Sequence, residues 1–168
     1  MQKIKYILTP LLIASLITTL LSGCGFRLRG DYLLAPELQT LYLSSVDTHG
    51  ELTRLVKRHL TVNQVKIISR AADNTPELRI LKDNLARRTL SVFENGQVAE
   101  YELIYSVRYQ LRFANKDPLN FSFEINRDYQ DDPDIALAKS RELALLLSEM
   151  RQQSADKILR EMASIQID

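Results

Sequence analysis

The chain has 168 residues, with 22 Lys or Arg against 21 Asp or Glu, a formal charge of +1, two histidines and one cysteine. That length suits one domain, the balanced charge argues against a nucleic-acid binder, and 45% hydrophobic residues argue against bulk disorder. A single cysteine excludes an internal disulfide, and with only His49 and His59 beside it a Cys/His zinc site cannot be built.

The charge is unevenly spread. Lys3 and Lys5 precede an uncharged, mostly apolar run from Ile7 to Leu21, which closes on Leu21-Ser22-Gly23-Cys24. A basic start followed by a short apolar core is the layout of a secretory signal. Small residues before a cysteine resemble the lipobox of bacterial lipoproteins. Residues 1–23 are therefore expected to be a signal peptide that is removed. Cys24 would become the new amino terminus, carrying an S-linked diacylglycerol and an N-acyl group. Two or more chains hold a protein stably on a membrane, whereas one is marginal. Gly25 rather than aspartate at the next position favours sorting to the outer membrane of a Gram-negative cell. An uncleaved anchor is the alternative, because Tyr6 to Phe26 is uncharged and near the roughly 20 residues that span a bilayer. Pro10 and the glycines at its end weaken that reading. Removal of Lys3 and Lys5 leaves 20 basic against 21 acidic residues over 24–168, a charge of −1.

Phe26 to Arg29 alternates apolar and basic residues and is expected as a short strand close to the anchor. Leu41 to Ser44 is a second strand. Leu52, Leu55, Val56 and His59 recur at helical spacing and predict an amphipathic helix over 50–62, with His59 packed and half-buried. Val65 to Ile68 is a third short strand. The strongest signal follows. Ala99, Tyr101, Leu103, Tyr105, Val107, Tyr109, Leu111 and Phe113 hold successive odd positions between mostly polar neighbours, the pattern of a long strand with one buried face.

Asn95-Gly96 predicts a two-residue type I′ hairpin before that strand, pairing Val92 with Ala99, Leu90 with Tyr101, Ile80 with Leu111 and Leu78 with Phe113. A second turn at Asn115 to Pro118 leads to Leu119, Phe121, Phe123 and Ile125, expected to pair Leu111 with Phe121, Tyr109 with Phe123 and Val107 with Ile125. The middle of the first strand breaks the pattern, since Lys82, Asn84 and Arg88 would face inward and Leu81 and Leu85 outward. A bulge is expected there. Asp132-Pro133 caps a last helix of about 30 residues, with a bend expected between Met150 and Ala155 where its apolar stripe drifts. The expected fold is α+β: a two-layer roll, mainly antiparallel sheet, with two helices packed on one face. Residues 24–168 form a single domain.

Nothing in the sequence displays a catalytic constellation. The glycines stand singly, so neither a phosphate loop nor a dinucleotide fingerprint is present. Asp128, Asp131, Asp132 and Asp134 lack the spacing of a calcium loop and read as a solvated helix N-terminus. No enzyme and no cofactor are expected. Arg27, Arg29, Arg87, Arg88, Arg108, Arg112 and Lys139 are candidates for anionic ligands such as phosphorylated glycolipid headgroups, arginine's planar fork being suited to phosphate.

Three segments carry a family resemblance: Leu21 to Gly30, Ser91 to Tyr101 (Ser-Val-Phe-Glu-Asn-Gly-Gln-Val-Ala-Glu-Tyr) and Ala136 to Lys139 (Ala-Leu-Ala-Lys). Together they resemble the lipopolysaccharide-assembly lipoprotein family LptE. The resemblance implies a non-catalytic subunit that plugs the large β-barrel LptD, aids its biogenesis and binds lipopolysaccharide. It also implies lipopolysaccharide contacts at a basic residue just before the Asn-Gly turn and at the lysine of Ala-Leu-Ala-Lys. Lys139 matches the second. At the first this chain has Glu94, with Arg87 and Arg88 further along the strand as candidates to compensate. A stand-alone outer-membrane lipoprotein that binds envelope lipids without a barrel is the alternative.

Overall fold

Alternation along the three long strands builds the sheet, and the computed structural model describes residues 34–165. The segment expected to be a signal peptide, Cys24, Arg27, Arg29 and the strand expected at Phe26 to Arg29 lie outside the described residues. The elements are a 3-10 turn at Pro36–Leu38, β1 (Thr40–Ser45), α1 (Glu51–Val62), β2 (Lys66–Ile68), β3 (Glu77–Val92), β4 (Val98–Arg112), β5 (Leu119–Gln130), a 3-10 turn at Pro133–Ile135 and α2 (Ala136–Ala163). One sheet runs β2-β1-β3-β4-β5. The meander β3-β4-β5 is antiparallel, whereas β1 is parallel to both β2 and β3. Helix α1 supplies the crossover that a parallel pair requires. The two helices pack on the face carrying Leu103, Tyr105, Val107, Tyr109 and Leu111, in a single core with Leu52, Val56, Leu60, Ile158 and Leu159.

The hairpin differs from its expected geometry. Phe93 N–H donates to the Gln97 carbonyl at 2.8 Å and Gly96 N–H to the Phe93 carbonyl at 2.9 Å. The loop is thus three residues, Glu94 to Gly96. Of these only Gly96 has positive φ, +83°, whereas a type I′ turn needs it at two adjacent positions. The register moves accordingly: Leu78 pairs with Leu111, Ile80 with Tyr109 and Val92 with Val98. Across the second turn Leu111 pairs with Leu119, Tyr109 with Phe121 and Val107 with Phe123. That is a two-residue slip from the expectation, which preserves the face each side chain occupies.

The bulge expected in β3 falls between Ile80 and Lys82. It returns Leu85 to the core face opposite Tyr105 and turns Arg88 outward opposite Glu102. A second irregularity between Thr89 and Val92 lies nearer the turn.

Helix α1 ends in a Schellman arrangement: Gln64 N–H donates to Thr61 and Val65 N–H to Leu60, both at 3.0 Å. Gln64 takes the left-handed conformation, φ 61°. At the other helix, Asp132 accepts from Asp134 N–H at 3.0 Å and caps the Pro133–Ile135 turn. Helix α2 then runs on to Ala163, and its fully buried residues begin only at Met150.

Candidate functional site

The hairpin end of the sheet differs chemically from the rest of the same face. Thr89, Tyr101 and Tyr129 stand side by side on β3, β4 and β5, two residues beyond Arg87, Leu103 and Arg127 on the same face. The Arg87 guanidinium lies 5.8 Å from the Tyr101 ring centroid, and the Lys139 ammonium lies 5.1 Å from that of Tyr129. Two cations thus flank a pair of neighbouring aromatic rings, at the separation where a ring face attracts positive charge. The alternation of β4 and β5 places the two tyrosines, and the bulge in β3 places Arg87.

Lys139 is fixed from three directions. Its backbone carbonyl accepts from the Tyr129 hydroxyl at 3.0 Å, its Nζ donates to Glu142 Oε2 at 2.8 Å, and the ammonium sits over the Tyr129 ring. The Glu142 carboxylate beside it raises the lysine's pKa. Burial, then the nearby Asp131 carboxylate, raises that of Tyr129. Two adjoining cavities of about 400 and 420 Å³ open here and share Glu100, Gln130 and Lys139 in their walls. The first adds Asp128, Tyr129 and Glu142; the second adds Phe93 and Ile135, both of which are exposed. Leu90, Val92, Leu137 and Leu145 are also exposed nearby in sequence. A cation and two exposed apolar side chains, Phe93 and Ile135, line one cavity, which can receive an amphipathic anion.

The other candidates sort by face. Arg87 and Lys139 occupy the helix side of the sheet. Arg88 lies on the opposite side, ion-paired with Glu102, and Arg112 pairs with Glu77 at 3.3 Å. Glu94 sits exposed in the turn and lines neither cavity. Sequence reasoning did not single out Tyr101, Tyr129 or Glu142. The three-residue spacing of Lys139 and Glu142 on a helix was the available signal for the last. Among the described residues no cluster of three or more His, Cys, Asp or Glu is placed to hold a metal ion. None of the described helices is long and apolar enough to cross a membrane.

The opposite face of the meander is polar. Gln110 donates to Asn120 at 2.7 Å, Ser106 to Glu124 at 2.9 Å, Asn126 to Glu102 at 3.1 Å and Gln130 to Glu100 at 3.2 Å. These form a hydrogen-bonded ladder of side chains along most of β4 and β5.

The same architecture occurs in rare lipoprotein B from Shewanella oneidensis, with a TM-score of 0.69 and 52% identity over 74% of this chain and 94% of that one. A minor lipoprotein from Acinetobacter baumannii, only 20% identical, shares the fold at a TM-score of 0.61 over 76% of this chain and 92% of its own. The fold is that of a small bacterial lipoprotein domain. A family model described as LptE, lipopolysaccharide-assembly, matches residues 38–162. The chain is also 36% identical over 155 residues to the LPS-assembly lipoprotein LptE of Pectobacterium atrosepticum, covering 92% of this chain and 84% of that protein. This chain belongs to the LptE family of lipopolysaccharide-assembly lipoproteins.

Proposed function

We propose that this chain is a non-catalytic outer-membrane lipoprotein, anchored through acylated Cys24, that acts with the β-barrel LptD. In this reading it plugs the barrel lumen, aids barrel biogenesis and binds lipopolysaccharide at its hairpin end. The polar ladder on β4 and β5 carries the plug reading. An antiparallel sheet whose outer face is a run of paired amides, hydroxyls and carboxylates suits a wet lumen and has little to gain from burial in lipid.

The ends of the sheet support the division of labour. The described chain begins at Leu34 and joins the sheet at the Arg112 end of β4, because β1 pairs with the start of β3 opposite Arg112. Lys139 and Arg87 sit towards the other end, near Tyr101, roughly 35 Å along the strand. Lys139 and Arg87 are the cations proposed to meet headgroup phosphates, with Arg88 a contact on the opposite face.

Extraction of outer membranes in mild detergent tests the partnership. A stable complex with a large β-barrel is expected, together with loss of lipopolysaccharide delivery on depletion. Recovery of the chain alone, with export unimpaired in its absence, would leave a stand-alone lipid-binding lipoprotein.

A further inference from the structure

The region around Lys139 is not electropositive. Glu142 bonds the ammonium and Asp131 lies near it, whereas Glu100 and Asp128 in the wall of its cavity belong to the opposite face of the sheet, so the lysine's charge is already claimed by a carboxylate. The carboxylates are held differently. Glu100 accepts from Ser91 at 2.9 Å and from Gln130 at 3.2 Å, which ties it into the sheet. Glu142 bonds the ammonium itself, at 2.8 Å. The two partners of that bond also differ in freedom: the lysine side chain is 13% exposed and the glutamate 47%. Tyr129 braces the lysine by ring and hydroxyl. The cation is therefore seated and the carboxylate is free to swing into solvent.

We propose that Glu142 is a built-in competitor for Lys139, occupying the ammonium until an anionic headgroup displaces it. This rests on the binding reading above and adds to it an exchange step. The ligand's phosphate replaces one carboxylate at a lysine that stays in place, and Glu142 moves outward. A site arranged in this way keeps its lysine paired between ligands and releases an anion readily, since a replacement carboxylate is attached one helical turn away.

The test uses the full chain in detergent, titrated with purified lipopolysaccharide and with the same material stripped of its phosphates. Glu142→Gln keeps the shape of the side chain and removes the competing charge. It is expected to tighten binding of the phosphorylated ligand by about two- to fivefold, the range of an exposed ion pair, and to leave the dephosphorylated ligand unaffected. In a Lys139→Met background the same change is expected to have no effect. Binding that Lys139→Met weakens but Glu142→Gln leaves unchanged would overturn the competitor while preserving the site. Binding indifferent to Lys139→Met would remove the site and the competitor together.

Discussion

The two ends of the β3-β4-β5 meander are made from the same three strands and differ in what covers them. At one end Leu78, Ile80, Val107, Tyr109 and Leu111 are buried under α1 and the second half of α2. The two phenol hydroxyls there are paired: that of Tyr109 donates to Glu161 at 2.6 Å, and that of Tyr105 to Asp83. At the other end Leu90, Val92, Phe93, Leu137 and Leu145 stay exposed, and α2 buries no residue fully before Met150. Stability is thus concentrated at one end. The other is left free to take a ligand without disturbing the core, as regions of low local stability commonly are.

The largest effect that could break this comparison is on stability. Leu159→Ala, at a fully buried position, is expected to cost about 2–5 kcal/mol. Leu137→Ala, at a position 68% exposed, should fall within about 0.5 kcal/mol of the parent. Denaturant unfolding of both variants measures this. Similar losses would mean that the hairpin end is part of the cooperative core.

Alkaline pH addresses the same end by chemistry. Burial, then hydrogen bonding to Asp83 and Glu161, raises the pKa of Tyr105 and Tyr109 far above the ordinary value near 10. In the unfolded chain both phenols ionise near pH 10, so above that pH the folded state holds more protons than the unfolded one. Their contribution is complete below about pH 10 and is lost as pH climbs towards the folded values. Unfolding free energy should therefore decline from about pH 10 upward, and Tyr109→Phe should flatten the decline. A Tyr109→Phe variant with an unchanged alkaline slope would contradict the burial of that hydroxyl.

At the free end the expected effects are on binding. Lys139→Glu should weaken lipopolysaccharide binding by about tenfold at low salt and less at high salt, with no change in unfolding midpoint. Arg87→Ala should weaken it less, and Arg88→Ala, on the far side of the sheet, least of all. Equal losses for Arg87 and Arg88 would mean that the two faces contribute alike and that the helix side is not the main seat of the ligand.

The sequence made some of this difference legible. The odd-position alternation from Ala99 to Leu111 gave the buried face directly, and the 50–62 helix emerged as Glu51–Val62. Register was harder. The Asn-Gly pair signals a tight turn, but whether its loop has two residues or three depends on the φ of Asn95, which composition does not specify. Across the second turn the two-residue slip leaves every side chain on the same face, so alternation is blind to it. Which of Arg87 and Arg88 faces the helices depends on where the β3 bulge falls, and only the broken alternation from Leu81 to Arg88 hinted at one. The parallel pairing of β1 was invisible because β1 and β2 are too short to show alternation. Tyr101 and Tyr129 obey the core's parity and do pack with the core, Tyr129 being almost fully buried; what alternation could not show is that Arg87 and Lys139 lie over their rings.

The smallest effects come from two turns with opposite defects. Gln64 holds φ 61° at the end of α1, and a side chain in that conformation costs about 1–2 kcal/mol relative to glycine. Gln64→Gly should recover about 1 kcal/mol as a higher global unfolding midpoint, since Leu60 and Val65, joined across that cap, are both core residues. Gly96, with φ +83° and nothing within 4 Å of an added Cβ, is the converse. Gly96→Ala introduces the same backbone strain with no steric clash. If the hairpin end opens independently of the core, its cost should appear as faster hydrogen exchange at the Gly96 and Phe93 amides, with the global midpoint unmoved. A midpoint that falls by the full backbone cost would show that the two ends unfold as one unit, so that the exposed hairpin is held as firmly as the core beneath the helices.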